Sequence, residues 1–212
     1  MDNEIYVINN ANDLITLEKQ FKDFRISNPE QQLKFTFIDL SQMDYALDWT
    51  FHLEENNNKL TVNYFCLNQN HFKKTIKLRA IHNVEHTYSY LMFHGISFHH
   101  AFTNLGLCSK NNIKPLANIY SEQEINKVIM DESVFSGIPQ IDVANNSFTS
   151  AHKLLVGTVN KEEMFYLDAL GIANSLNILL KTLYKSFIME KKGDNLSIDI
   201  WREIENASTK KL

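Results

Sequence analysis

The stretch Leu33-Lys-Phe-Thr-Phe-Ile-Asp-Leu40 carries aromatic and apolar residues with little polar interruption before Asp39. A strand of that composition needs cover on both faces, the usual condition of a strand inside a layered sheet. Glu4 to Asn9, closed by paired asparagines, and Leu60 to Leu67 read the same way. Between them lie segments with apolar residues near helical spacing. Leu14, Ile15, Leu17, Phe21 and Phe24 follow Asn12 and Asp13, which can cap a helix, and Asn28-Pro29 breaks it. Leu47, Trp49 and Phe51 follow Ser41 and Asp44, and Asn56-Asn-Asn58 closes that segment. Residues 70–78 and 84–93 read as two more helices, the second stopped by Gly95, and 96–102 as a fourth strand. Strands alternating with helices predict an α/β fold: a small, mainly parallel sheet with flanking helices and right-handed crossovers.

The second half reads differently. Residues 106–120 are polar and contain Pro115. Ser121-Glu-Gln-Glu124 has the form of a capping box and predicts a helix to about Met130, with another short helix over 147–156. From Lys161 to Lys191, Phe165, Ile172, Leu176, Leu179, Leu183 and Phe187 recur at spacings near three and four. That is a heptad-like seam on a helix about 45 Å long. The expected organisation is an α/β domain over 1–105, then a loop-rich connection and a helical C-terminal region over 106–212. No internal repeat is evident.

Bulk properties narrow the function. A hydrophobic fraction of 44% supports a real core and excludes wholesale disorder. The net charge of −4 gives no global pull toward nucleic acid or an anionic membrane. Two cysteines, Cys66 and Cys108, do not make a disulfide scaffold. The acidic start lacks the form of a signal peptide, and no apolar run reaches the ~18 residues of a membrane span. A cytoplasmic protein without membrane association is expected.

Phe37-Ile-Asp39-Leu-Ser-Gln-Met-Asp44-Tyr45, the following Lys59-Leu-Thr-Val-Asn-Tyr-Phe-Cys66 and then Tyr90-Leu-Met-Phe-His-Gly95-Ile carry a resemblance. Over about half the chain the sequence resembles the STAS family, the anti-sigma-factor-antagonist type of bacterial regulatory domain. The resemblance implies a non-enzymatic protein-interaction role, often switched by phosphorylation of a hydroxyl after the Asp-Leu-Ser turn. Here Leu47, Asp48, Trp49 and Thr50 stand where that family has small residues, so Thr50 is the one nearby acceptor. The expected contact residues are Asp39, Ser41, Asp44, Asp48 and Thr50. Leu176, Leu179 and Leu183 of the long helix are expected to meet another protein or a second copy of the chain.

A second reading is enzymatic. His82-x-x-Glu85-His86 places two imidazoles at i and i+4 of a helix, where they could hold zinc while Glu85 activates a water as general base. Glu162 or Glu163 lies at a suitable separation for a third ligand, Glu163 being preferred. The approach to this motif lacks the apolar and glycine-rich residues such sites carry, so the preferred reading has no cofactor and zinc belongs to the alternative. A third reading is a nucleic-acid-associated factor using Lys73, Lys74, Lys77 and Arg79; the overall charge argues against it. The six glycines are isolated, so no phosphate-binding loop of the P-loop or dinucleotide type is present.

Overall fold

The computed structural model describes residues 2–112, 118–130, 132–143 and 148–158, together with Glu162, Phe165, Tyr166 and residues 169–171. The chain divides into two compact units, Met1–Thr158 and Val159–Leu212. The first is a stack of β-strands. In order they are β1 (Asp2–Ile8), α1 (Ala11–Phe21), β2 (Asp23–Ile26), β3 (Gln32–Asp39), β4 (Tyr45–Leu53), β5 (Lys59–Asn68), β6 (Lys73–His82), β7 (Tyr88–Ser97), β8 (Phe102–Asn111), β9 (Ile119–Ile129), β10 (Val134–Val143) and β11 (Phe148–Thr158).

Successive strands alternate between two sheets. One has the order β1-β3-β5-β7-β9-β11 and the other β10-β8-β6-β4-β2, and neighbouring strands in both run parallel. The chain therefore winds as a β-solenoid, two strands to a rung. Register partners lie 27 residues apart for Phe35 and Val62, 29 for Val62 and Leu91, and 32 for Leu91 and Gln123. The unit does repeat, in position rather than in residue identity.

Inward side chains stack in columns between the sheets. Leu47, Ile76 and Leu105 form one column, and Trp49, Leu78 and Leu107 the next. In the facing sheet Phe37, Tyr64 and Phe93 follow one another with ring centroids 5.9 and 6.0 Å apart. Period-two burial follows: β4 alternates from Tyr45, with Leu47, Trp49, Phe51 and Leu53 all buried. Helix α1 closes the first rung. Asn10 caps it in a reciprocal pair with Asp13, Leu17 and Phe21 enter the core, and Trp49 Nε1 donates to Glu18 Oε2 at 2.7 Å. Phe21 lies against the rings of Tyr6, Phe24, Phe35, Phe37, Trp49 and Phe51.

Tight corners join the strands. Left-handed backbone occurs at Glu30, Asn57 and His86 along one corner line, and at Asn70, His71, His99, His100 and Glu132 along the other. Asn58 and Asn68, both fully buried, tie the corners together: Asn58 donates to the Ile26 carbonyl at 2.8 Å, and Asn68 to the Phe102 carbonyl at 2.9 Å.

Several expectations are corrected. The helix-flanked α/β sheet with a long C-terminal helix is replaced by a parallel β-solenoid. Segments 45–53, 73–78, 88–93, 121–129 and 148–156, read as helices in whole or part, are strands. Sheet-to-sheet alternation supplies the crossovers that helices were expected to supply. The boundary expected at residue 105 falls inside β8. Of the long helix over 161–191 only Glu162, Phe165, Tyr166 and residues 169–171 are described, so Leu176, Leu179 and Leu183 lie outside the described residues. Among the described residues no helix is long and apolar enough to cross a membrane.

Candidate functional site

The most polar point of the interior is the corner where β3 turns into β4 and β5 into β6. Asp39 and Lys74 are fully buried there, Nζ to Oδ2 2.9 Å. Asp39 Oδ1 accepts from the Ser41 backbone N–H at 3.0 Å and from Ser41 Oγ at 2.6 Å. Its Oδ2 also accepts from the Tyr45 hydroxyl and, at 3.4 Å, from Cys66 Sγ. Lys74 Nζ donates as well to the Leu67 carbonyl at 2.9 Å and lies 5.4 Å from the centre of the Tyr45 ring. Burial pushes the Cys66 thiol up, and the neighbouring Lys74 ammonium only partly opposes this. Burial likewise raises Tyr45 and Tyr64 well above the usual phenol range. With five donors on one carboxylate, no lone pair is left for a substrate, and a thiol held protonated is a poor nucleophile. The cluster neutralises and orients itself; chemically it is a fastening.

This corner redistributes the residues expected to form one contact surface. Asp39 and Ser41 face inward. Asp44 is exposed, and its Oδ1 accepts from the Lys73 backbone N–H at 2.8 Å. Asp48 and Thr50 lie on the other face of β4, where Asp48 pairs with Arg79. The basic group dissolves for the same reason. Lys74 points inside with Ile76, Leu78, Ala80 and His82, while Lys77 is on the opposite, exposed face.

His82 ends β6 inside the solenoid. Its Nδ1 lies 2.7 Å from Thr87 Oγ1 and its Nε2 2.9 Å from Ser89 Oγ. Burial pushes it down to about 3, so it is neutral across the physiological range. From Ser89 a chain of hydroxyls continues to Ser121 at 3.0 Å and Ser109 at 2.6 Å, and Gln123 Nε2 reaches Ser109 at 2.9 Å and the Gln140 carbonyl at 2.8 Å. His86 is exposed on the corner, with Glu85 3.9 Å away. Residues 82–86 are thus a strand end and a turn, so the two imidazoles do not share a helix face. Glu163 lies outside the described residues. Among the described residues no group of three or more His, Cys, Asp or Glu side chains is placed to hold a metal ion.

Sequence reasoning missed Lys74, Tyr45, Tyr64 and Cys66 as one cluster. The signal was the parity of β6: Lys74 and His82 share the face of Ile76, Leu78 and Ala80.

The last described rung offers a surface of another kind. Leu154 and Val156 point along the inward columns continued from Ile125 and Lys127, yet are 51% and 48% exposed. Val134, Ile138 and Leu155 are exposed on the same rung. Lys153 is the one basic side chain in β11, and it is paired with Glu124 at 2.8 Å.

A family model described as SUF system FeS cluster assembly, SufBD core domain matches residues 11–176. No curated protein matches the chain. The family match and the solenoid overturn the resemblance to STAS domains: the Asp-Leu-Ser turn is a solenoid corner, and the element it leads into is the strand β4. Since the match spans most of the sequence, the chain belongs to the SufBD core-domain family of SUF-system Fe–S cluster assembly proteins.

Proposed function

We propose that this chain is a non-enzymatic component of iron–sulfur cluster assembly that acts within a protein complex. The match over residues 11–176 carries the reading. Two features of the molecule agree with it. The interior polar cluster is saturated with its own hydrogen bonds, and the last described rung presents Val134, Ile138, Leu154, Leu155 and Val156 to solvent. Exposed apolar side chains on a strand whose one lysine, Lys153, is engaged by Glu124 favour association with another protein. The partner in this reading is another SUF-system protein of the same organism, docked on β10 and β11.

Reconstitution tests it. The purified chain is mixed with each of the other SUF components of its organism and run on a sizing column. A stable complex with at least one is expected, together with its loss in a Leu154→Asp/Val156→Asp variant that keeps the far-ultraviolet spectrum of the parent. A chain that elutes alone with every component would overturn the assembly reading. A complex untouched by the double variant would overturn the docking surface.

A further inference from the structure

Along the corner line that carries five left-handed residues, two successive rungs end in exposed histidines. His71 stands between β5 and β6, His100 between β7 and β8, and Glu132 between β9 and β10. Lys73 pairs with Phe102, so His71 and His100 are in register, each two residues before its strand. Their rings lie face to face, centroids 5.0 Å apart with 2° between planes. His100 Nδ1 is 3.7 Å from Glu132 Oε2, and both side chains are more than half exposed, at 52% and 83%. The turns are joined through the backbone, His71 N–H donating to the His99 carbonyl at 3.1 Å.

The left-handed conformation belongs to the corner itself, since Glu30, Asn57 and His86 adopt it on the opposite line. What distinguishes this line is that imidazoles stand in two consecutive rungs, whereas the opposite line carries one, at His86. Left-handed backbone is cheapest for glycine and tolerated by asparagine. Here histidines take it in two consecutive rungs, His71 in one and His99 and His100 in the next, followed by Glu132 in the third.

We propose that His71 and His100 form a two-imidazole surface site for a divalent transition-metal ion of the zinc or copper type, with Glu132 orienting His100. Imidazole nitrogen suits such ions, and the carboxylate beside His100 adds a compensating charge. The ring separation matches the ~4.8 Å spacing of adjacent strands. Metal–nitrogen bonds of about 2.0–2.1 Å need the two ring edges closer than that stacked arrangement leaves them. Both side chains are exposed, so binding requires the rings to turn from the stack toward one point, with water completing the coordination. The site is independent of the assembly reading: it concerns the corner of rungs β5 to β10, not the face of β10 and β11.

The test is titration of the untagged full chain with Cu(II), followed by electron paramagnetic resonance, and with Zn(II), followed by calorimetry. One ion per chain is expected, with nitrogen hyperfine structure from two imidazoles. His71→Asn and His100→Asn keep a residue that accepts the left-handed backbone. Each should weaken binding at least tenfold, and Glu132→Gln should do so by less. His86→Asn, at the matching position of the opposite corner, should leave binding unchanged. Absence of binding, binding unaltered in both His71→Asn and His100→Asn, or loss only in His86→Asn would each overturn the site. Circular dichroism of every variant confirms that the solenoid is intact when affinity is read.

Discussion

The two ends of the solenoid are filled by different chemistry. The first rungs are packed with aromatic rings, Phe21, Phe35, Phe37, Trp49, Phe51 and Tyr64, and α1 lies across them. The later rungs put hydroxyls and amides inside, Ser89, Ser109, Ser121 and Gln123 with His82, and the last described rung carries exposed Leu154 and Val156. The same winding serves both, because the backbone hydrogen bonds between rungs are indifferent to what fills the columns. What differs is how much burying each rung stabilises. The first rungs gain from aromatic burial; the later rungs continue the apolar columns through Phe93, Leu105, Leu107 and Ile125, but their added polar column gains little beyond satisfying its own groups. The capped end is a foundation, and the opposite end is suited to contact.

The largest effects should fall at the aromatic end. Removing the Phe37 ring, which touches Phe21, Trp49 and Tyr64, is expected to lower stability by about 3–5 kcal/mol. Lys74→Ala, which strands the Asp39 carboxylate in a fully buried site, should cost a similar ~3–5 kcal/mol. Urea unfolding measures both. A loss below about 1 kcal/mol in Lys74→Ala would mean that Ser41 and Tyr45 alone satisfy Asp39, and that the cluster is not a fastening.

The hydroxyl end should instead reveal itself through pH. His82 is held neutral in the folded chain to about 3, whereas an unfolded histidine takes up a proton near 6.5. Below about 6.5 the unfolded state therefore binds more protons than the folded state. Stability should fall as pH drops from there toward 3, by up to about 1.4 kcal/mol per pH unit. The denaturation midpoint at pH 7 and pH 5 reads this directly. A His82→Gln chain should show a shallower decline, and an equal decline in both would assign the acid sensitivity elsewhere.

The smallest effect is expected at the exposed rung. Leu154→Ala removes a side chain that is 51% exposed and should change stability by about 0.5 kcal/mol or less. A loss comparable to that of Phe37→Ala would erase the contrast between the ends, since it would make Leu154 a core residue.

Which parts of this were legible in the sequence depended on whether one periodicity stood alone. Strands β3 and β5 were readable because their buried residues run almost without a break. Helix α1 was readable from its spacing, although its cap is Asn10 and it stops at Phe21, before Phe24. In β4, Leu47 and Phe51 fit a helical face as well as a strand; Trp49 and Leu53, completing the series of every second residue, decide for the strand. In β9 a Ser-Glu-Gln-Glu sequence with the form of a helix cap lies in mid-strand, Ser121 and Gln123 pointing inward. The repeat escaped notice because Phe37, Tyr64, Phe93 and Ile125 share a column without sharing an identity.

The candidate sites followed the same division. Asp39 was singled out, but its partner Lys74 was placed on a surface, because a helical reading of 70–78 put all its basic residues in one patch. His82 was singled out for a motif whose spacing only a helix would make meaningful. The sequence by itself determined the amphipathic composition of each segment and the existence of α1, both local properties of neighbouring residues. Tertiary structure alone decided that the segments stack as rungs, that Lys74 and His82 turn inward, and that His71 meets His100. Those pairings join residues about 30 positions apart, and they exist only once parallel strands, held by backbone hydrogen bonds with no residue preference of their own, have fixed the register.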